Sequence, residues 1–230
     1  AMSGSSGVTS LNAIAASSTG TVTAANVSGN SADLANLTAS GTAATQAYTI
    51  TVDNVTNAAN GKAITAATTA GTVDFSAGGV NDTFANLTTG TGVSVNMQAI
   101  DAKDANVAIE VSDTISADAN KVTALNALRH DTNGTTGTVT ATINGNADVL
   151  ANLTATASET GTSTLTITVN DAATAAEGAA IVAATNAATV NFAAGGVNDT
   201  FANLTTTTGV SANMQAIDAK DANVAIEVSD

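Results

Sequence analysis

Residues 80–113, VNDTFANLTTGTGVSVNMQAIDAKDANVAIEVSD, return 117 positions later as residues 197–230 with 32 of 34 positions unchanged. Only Gly90 to Thr207 and Val95 to Ala212 differ. A chain of this kind is constrained to fold as like units laid in series, since each unit presents the same faces to its neighbours. The shift of 117 also carries Thr21-Val22-Thr23 onto Thr138-Val139-Thr140, Thr49-Ile50-Thr51-Val52 onto Thr166-Ile167-Thr168-Val169, and Phe75 onto Phe192. Nearer the start the shift is 114, with Leu11-Asn12-Ala13-Ile14 against Leu125-Asn126-Ala127-Leu128, so the second copy gains three residues within 129–135. The expected organisation is 1–7 (AMSGSSG) as a tag or linker, 8–113 as copy one and 114–230 as copy two. The two copies would form one continuous array cut from a longer protein.

Composition narrows what such an array can be. Apolar residues make up 44% of the chain but aromatics only 2%, which suits thin stacked layers of Ala, Val, Ile and Leu over a single thick core. Proline is absent where average usage of roughly 5% would give about eleven. Every backbone N–H is therefore available for pairing. Nineteen acids against five bases give a net charge of −14, which repels nucleic acid and anionic lipid. No stretch is apolar enough to span a membrane, since the most apolar run, 179–194, is broken by Thr and Asn. The absence of cysteine removes disulfides and thiolate metal sites.

Each copy has a finer rhythm, a strand-like alternation followed by an Ala-, Leu- and Asn-rich run. In the second copy strands are expected at 138–143, 164–169, 189–193 and 223–228, burying Val139, Ala141, Ile143, Leu165, Ile167, Val169, Val190, Phe192, Val224, Ile226 and Val228. Helices are expected at 116–128, 172–184, 147–153 and 197–204, with Asp or Asn at the starts of the short ones as N-caps. An Asn-Leu-Thr ending recurs at Asn36, Asn86, Asn152 and Asn203. A strand and a helix every 29 residues or so, four times per copy, predict an α/β fold: an elongated solenoid of stacked strand–helix units with a parallel sheet. An all-β parallel β-helix is the alternative, favoured by Thr and Gly and disfavoured by the Ala-rich runs.

The long near-identical repeat, the Thr, Ala, Asn and Gly richness, the acidity and the lack of Cys and Pro together resemble the tandem arrays of very large bacterial cell-surface and secreted proteins. These include cyanobacterial giant surface proteins and repeat adhesins. The resemblance spans the whole chain and rests on texture. It implies a non-catalytic stalk, coat or adhesin body outside the cell, often stabilised by calcium. Its partners would be neighbouring repeats and, in an adhesive version, cell-surface glycans.

Several residues invite a chemical reading. Gly78-Gly79-Val80-Asn81-Asp82-Thr83-Phe84, copied at 195–201, looks like the core of the calcium-binding RTX nonapeptide but falls one residue short and occurs once per copy. A glycine turn followed by an Asn/Asp cap is the plainer reading. Asp101, Asp104 and Asp113, with Asp218, Asp221 and Asp230, join Asp82 and Asp199 as candidate Ca2+ ligands, although Lys103 and Lys220 share their runs and the spacing is not that of an EF-hand. Solvated loop acids are the plainer alternative.

His130 is the sole histidine, lies in the three-residue insertion, and lacks any second His or Cys to work with. It reads as loop variation. No enzyme is expected, since a single active site would not be copied intact along an array. Thr138, Thr140 and Thr142, with Thr164, Thr166 and Thr168, form outward rows that suggest an adhesive face for glycans or, in a lesser version, an ice-binding ladder. Plain β-propensity explains the same threonines.

Overall fold

Strand and helix alternate along the chain, and the structure, a computed structural model, describes residues 2–38, 45–131, 137–155, 162–187, 189–192 and 195–229. The first copy runs β1 (Met2–Ser3), α1 (Gly4–Ser17), β2 (Val22–Gly29), α2 (Ser31–Leu34), β3 (Gln46–Val52), α3 (Ala58–Ala66), β4 (Val73–Asp74), β5 (Val80–Asp82), α4 (Phe84–Leu87), β6 (Thr88–Thr89), β7 (Gly92–Val93) and α5 (Val95–Asp101). β8 (Ile109–Ser116) crosses from one copy into the next. The second copy continues with α6 (Ala119–Asp131), β9 (Thr138–Gly145), α7 (Ala147–Leu150), β10 (Thr162–Val169), α8 (Ala175–Ala183), β11 (Val190–Asn191), β12 (Val197–Asp199), α9 (Phe201–Leu204), β13 (Thr205–Thr206), β14 (Gly209–Val210), α10 (Ala212–Asp218) and β15 (Ile226–Val228). The ten helices among the described residues rule out the all-β alternative.

The fold is mixed α/β with parallel sheets. One sheet has the order β1-β2-β3-β4 and another β11-β10-β9-β8-β5, both wholly parallel. Among the described residues antiparallel pairing is confined to the two-residue hairpins β6–β7 and β13–β14. Partners lie one strand–helix unit apart: Leu165 opposite Ala141, Ile167 opposite both Ile143 and Val190. Period-two alternation puts Val139, Ala141, Ile143, Leu165, Ile167 and Val169 in the core and leaves Thr140, Thr142, Thr164 and Thr166 outside.

Helices cover the apolar face in a second layer, α1, α2, α3 and α5 packing in succession, then α6, α7, α8 and α10. Small residues set their spacing. A Cβ at Gly178 would press to 2.6 Å on the tip of the Ile217 side chain, so glycine there lets α10 sit against α8 without that side chain having to move.

The structure corrects several expected boundaries. Met2 and Ser3, expected outside the fold, pair with Val27 and Ser28, and the following residues open α1. The helix expected from 116 begins at Ala119, because Ser116 still pairs with Asn144 and Asp118 accepts the Lys121 N–H. It also runs on through Arg129 and His130, where the insertion reads as a loop. The helix expected at 197–204 is β12 followed by a single turn. Val197 and Asn198 donate their N–H groups to Ala225 and Ala173 on opposite sides, so backbone pairing wins over the local cap signal. In the expected 189–193 strand only Val190–Asn191 is strand, and Ala193 lies outside the described residues.

Candidate functional site

The acidic residues proposed as metal ligands stand mainly at joints between successive units. Asp82 Oδ2 accepts the Ala58 N–H at 3.0 Å, one unit earlier in the chain, while its Oδ1 accepts the Thr83 N–H and the Asn86 amide. Asp199 repeats this set with Ala175, Thr200 and Asn203. Asp104 accepts from Phe75 N at 2.9 Å and Asn106 N, and Asp221 likewise from Phe192 N and Asn223 N. Asp113 takes the Phe84 N–H at 2.6 Å, which supplies the first turn of α4 with the cap that Thr83 does not give. The orphan donors at these helix starts are thus met by carboxylates of the following unit.

Asp101 is half-buried, Asp218 is exposed, and Asp230 lies outside the described residues. Among the described residues no three His, Asp or Glu side chains gather closely enough to hold a metal ion. Lys103 and Lys220 also reach across units, Lys103 to the carbonyls of Thr69 and Gly71 and Lys220 to that of Ala187.

The glycine pair of the RTX-like loop is a packing device. Gly79 and Gly196 adopt φ of +64° and +60°, and a Cβ on either would overlap the carbonyl oxygen of Ala108 or Ala225. Gly78 and Gly195 are pressed from the other side by the backbones of Val55 and Ala172. Each pair lies between the preceding and the following unit.

Carboxamides do similar work. Asn12 bonds the Asn36 carbonyl and the Thr38 N–H, and Asn126 bonds the Asn152 carbonyl and the Thr154 N–H. The asparagines of the Asn-Leu-Thr endings turn back one helical turn: Asn36 to the Ala32 carbonyl, Asn152 to that of Asp148, and Asn86 and Asn203 to the Asp82 and Asp199 carboxylates.

The threonine rows are where the alternation places them. Thr140 stands opposite Thr164 and Thr142 opposite Thr166 on neighbouring parallel strands, all exposed, while Thr138 and Thr168 are half-buried. The rungs change character outward. Glu110 faces Thr140, and Glu110 also accepts from the Asn81 amide, a pair copied at Glu227 and Asn198. A shallow open depression of ≈ 340 Å³ beside the row is lined by Glu110, Thr138 and Thr140.

Two features escaped the sequence. Thr68 and Thr185 sit in Ala-rich runs yet are buried, each accepting the N–H and donating to the carbonyl of a strand residue, Tyr48 or Leu165. Arg129 is the largest fully buried side chain among the described residues, donating to Ser163 Oγ, Asn126 Oδ1 and, at 2.7 Å, the Ala184 carbonyl that ends α8. His130 beside it is exposed. The first copy holds Ala15 and Gln46 at the positions of Arg129 and Ser163, both buried. One copy takes its long polar side chain from the helix and the other from the strand.

Hydrogen bonds from the Asn203 amide and the Thr200 N–H, with a smaller one from Ala175, hold the Asp199 carboxyl below the usual carboxylate range. A carboxyl lowered on folding contributes stability that is present above its unfolded value near 4 and is lost as pH falls through the lower folded value. Asp199→Asn is therefore expected to cost about 1 kcal/mol at pH 7 by urea unfolding, with the gap to the parent closing below pH about 4. The same capping role predicts one melting temperature in EDTA and in millimolar Ca2+. A rise with Ca2+ would mean that the native state binds the ion.

Comparison with protein-family models, with curated proteins and with solved structures finds none that matches this chain.

Proposed function

We propose that the chain is a structural repeat segment of a large extracellular bacterial surface protein, a stalk, coat or adhesin body, with no catalytic role. In this reading its units stack into an elongated α/β solenoid whose length grows with copy number. One observation carries it. The polar residues preserved between copies bond one unit to the next, as Asp82 and Asp199, Asp104 and Asp221, and Asn81 and Asn198 do at the same offsets. A binding module would instead preserve a surface that faces a ligand.

The exposed threonine pairs of β9 and β10 favour a second reading, an adhesive face for glycans. The counterparts of Thr164 and Thr166 in the first copy are Ala47 and Thr49, so this face is not repeated as the interlayer bonds are. Binding isotherms on a panel of bacterial surface glycans separate the two. The structural role predicts no saturable binding and no change when Thr140 and Thr166 are replaced by Tyr. Saturable binding abolished by Thr140→Tyr with Thr166→Tyr would make the adhesive reading the correct one.

A further inference from the structure

Four apolar side chains buried in the first copy are exposed in the second. Phe84 is 8% exposed and Phe201 61%, Val93 8% and Val210 54%, Ile109 2% and Ile226 57%, Val111 7% and Val228 51%. The two segments are nearly identical, so the difference comes from what lies on them. In the first copy α6 packs over the β6–β7 hairpin and β9 pairs along β8.

The repeat equivalents of α6 and β9 are α1 and β2, and their matching surfaces are open. Ile14, at the position of Leu128, is 50% exposed where Leu128 is 1%. Ser10 and Ala13, at the positions of buried Ala124 and half-buried Ala127, are exposed as well. On the edge away from β3, β2 pairs among the described residues with Met2 and Ser3 alone, at Val27 and Ser28. Among the described residues Val22 and Thr23 have no strand partner on that edge, whereas their equivalents Val139 and Thr140 pair with Ile109 and Glu110. At the other end of the molecule β15 pairs, among the described residues, with β12 alone. Each end thus holds half of a joint that the chain already makes once in its middle.

We propose that the chain binds a second copy of itself head to tail, the β13–β14 hairpin and β15 of one molecule receiving α1 and β2 of the next. The internal joint sets the register: Ile226 opposite Val22 and Glu227 opposite Thr23 of the next molecule. That molecule's Met2 and Ser3 hold the places against β2 that Ile115 and Ser116 hold against β9. They prolong the line of β15 and leave its edge paired. Residues 1–32 contain no charged side chain, so the donor end sets no acid against those of the acceptor end, and the net charge of −14 on each molecule acts on assembly as a salt-screened repulsion. Donor and acceptor surfaces lie at opposite ends, so the contact is heterologous and assembly is open-ended. The proposal rests on the stacking reading above and adds a partner to it.

Sedimentation velocity of the intact chain from micromolar to several hundred micromolar tests it. The expected mass rises with concentration past twice 22.1 kDa without stopping at a dimer. Ile14→Glu and Phe201→Glu each alter an exposed side chain of the single molecule, so both fold with the parent's circular dichroism, and each alone remains at 22.1 kDa. Mixed, they form a dimer and nothing larger, because one supplies the intact tail and the other the intact head. A parent that stays at 22.1 kDa throughout, variants that assemble as the parent does, or a mixture that stays monomeric would each overturn the proposal. If the parent stays monomeric yet scatters X-rays as an elongated particle, docking fails and stacking stands. If the monomer is compact, the stacking reading fails with it.

Discussion

Ile167→Asp lowers the melting temperature by roughly 10–20 °C, the shift expected for a loss of about 4–5 kcal/mol in a chain of this size. Ile167 is fully buried on β10, with Ile143 and Val190 as its neighbours on either strand. A carboxylate there has no cation to meet, and its desolvation is uncompensated. Thr166→Asp, one residue away on the exposed face, changes the melt by the amount of an ordinary surface substitution, within about 0.5 kcal/mol. The contrast between adjacent positions carries the test. Equal effects at both, or none at Ile167, would mean that the strand does not face inward as described.

Arg129→Ala costs about 3–5 kcal/mol, since it removes a long buried side chain and leaves the Ala184 carbonyl and Ser163 hydroxyl without their donor. The first copy suggests the remedy. Adding Ser163→Gln recreates the Ala15 and Gln46 arrangement, and the double variant recovers at least about 1 kcal/mol in a double-mutant cycle measured by urea unfolding. Additive losses would show that the two positions do not share one space.

Much of the layered pattern was legible because period two and the Ala-rich runs report burial directly. Val139, Ile143, Leu165 and Ile167 were assigned to the core from alternation alone, and they are there. Val122, Leu125 and Leu128 stand at spacing three on the expected 116–128 helix and are buried, whereas Ala119 at the same spacing is exposed in the first turn of α6. The polar residues were harder. An Asp beside a turn looks alike whether it meets water, a metal or an N–H of another unit, and the partner of Asp82 is Ala58, 24 positions away. No local pattern encodes that distance. One clue was present: Asp82 and Ala58 are carried together onto Asp199 and Ala175 at the shift of 117. The burial of Arg129 has no local signal, because it falls in the insertion within 129–135 and the compensating exchange of Gln46 for Ser163 lies on another element.

Ile226 and Val228 failed for a different reason. Alternation marks them as core, and their equivalents Ile109 and Val111 are core, yet among the described residues no strand pairs along β15 as β9 does along β8. Sequence periodicity states which face an array buries. It does not state what lies over that face.

The central claim is that the units stack along one axis, and small-angle X-ray scattering of chains carrying two, three and four copies tests it most directly. The account predicts a constant cross-section, with the longest dimension increasing by the same step for each added copy, when all are measured as monomers with Ile14→Glu in place. A radius of gyration that instead follows the compact-globule law, rising as roughly the 0.38 power of chain length, would contradict it.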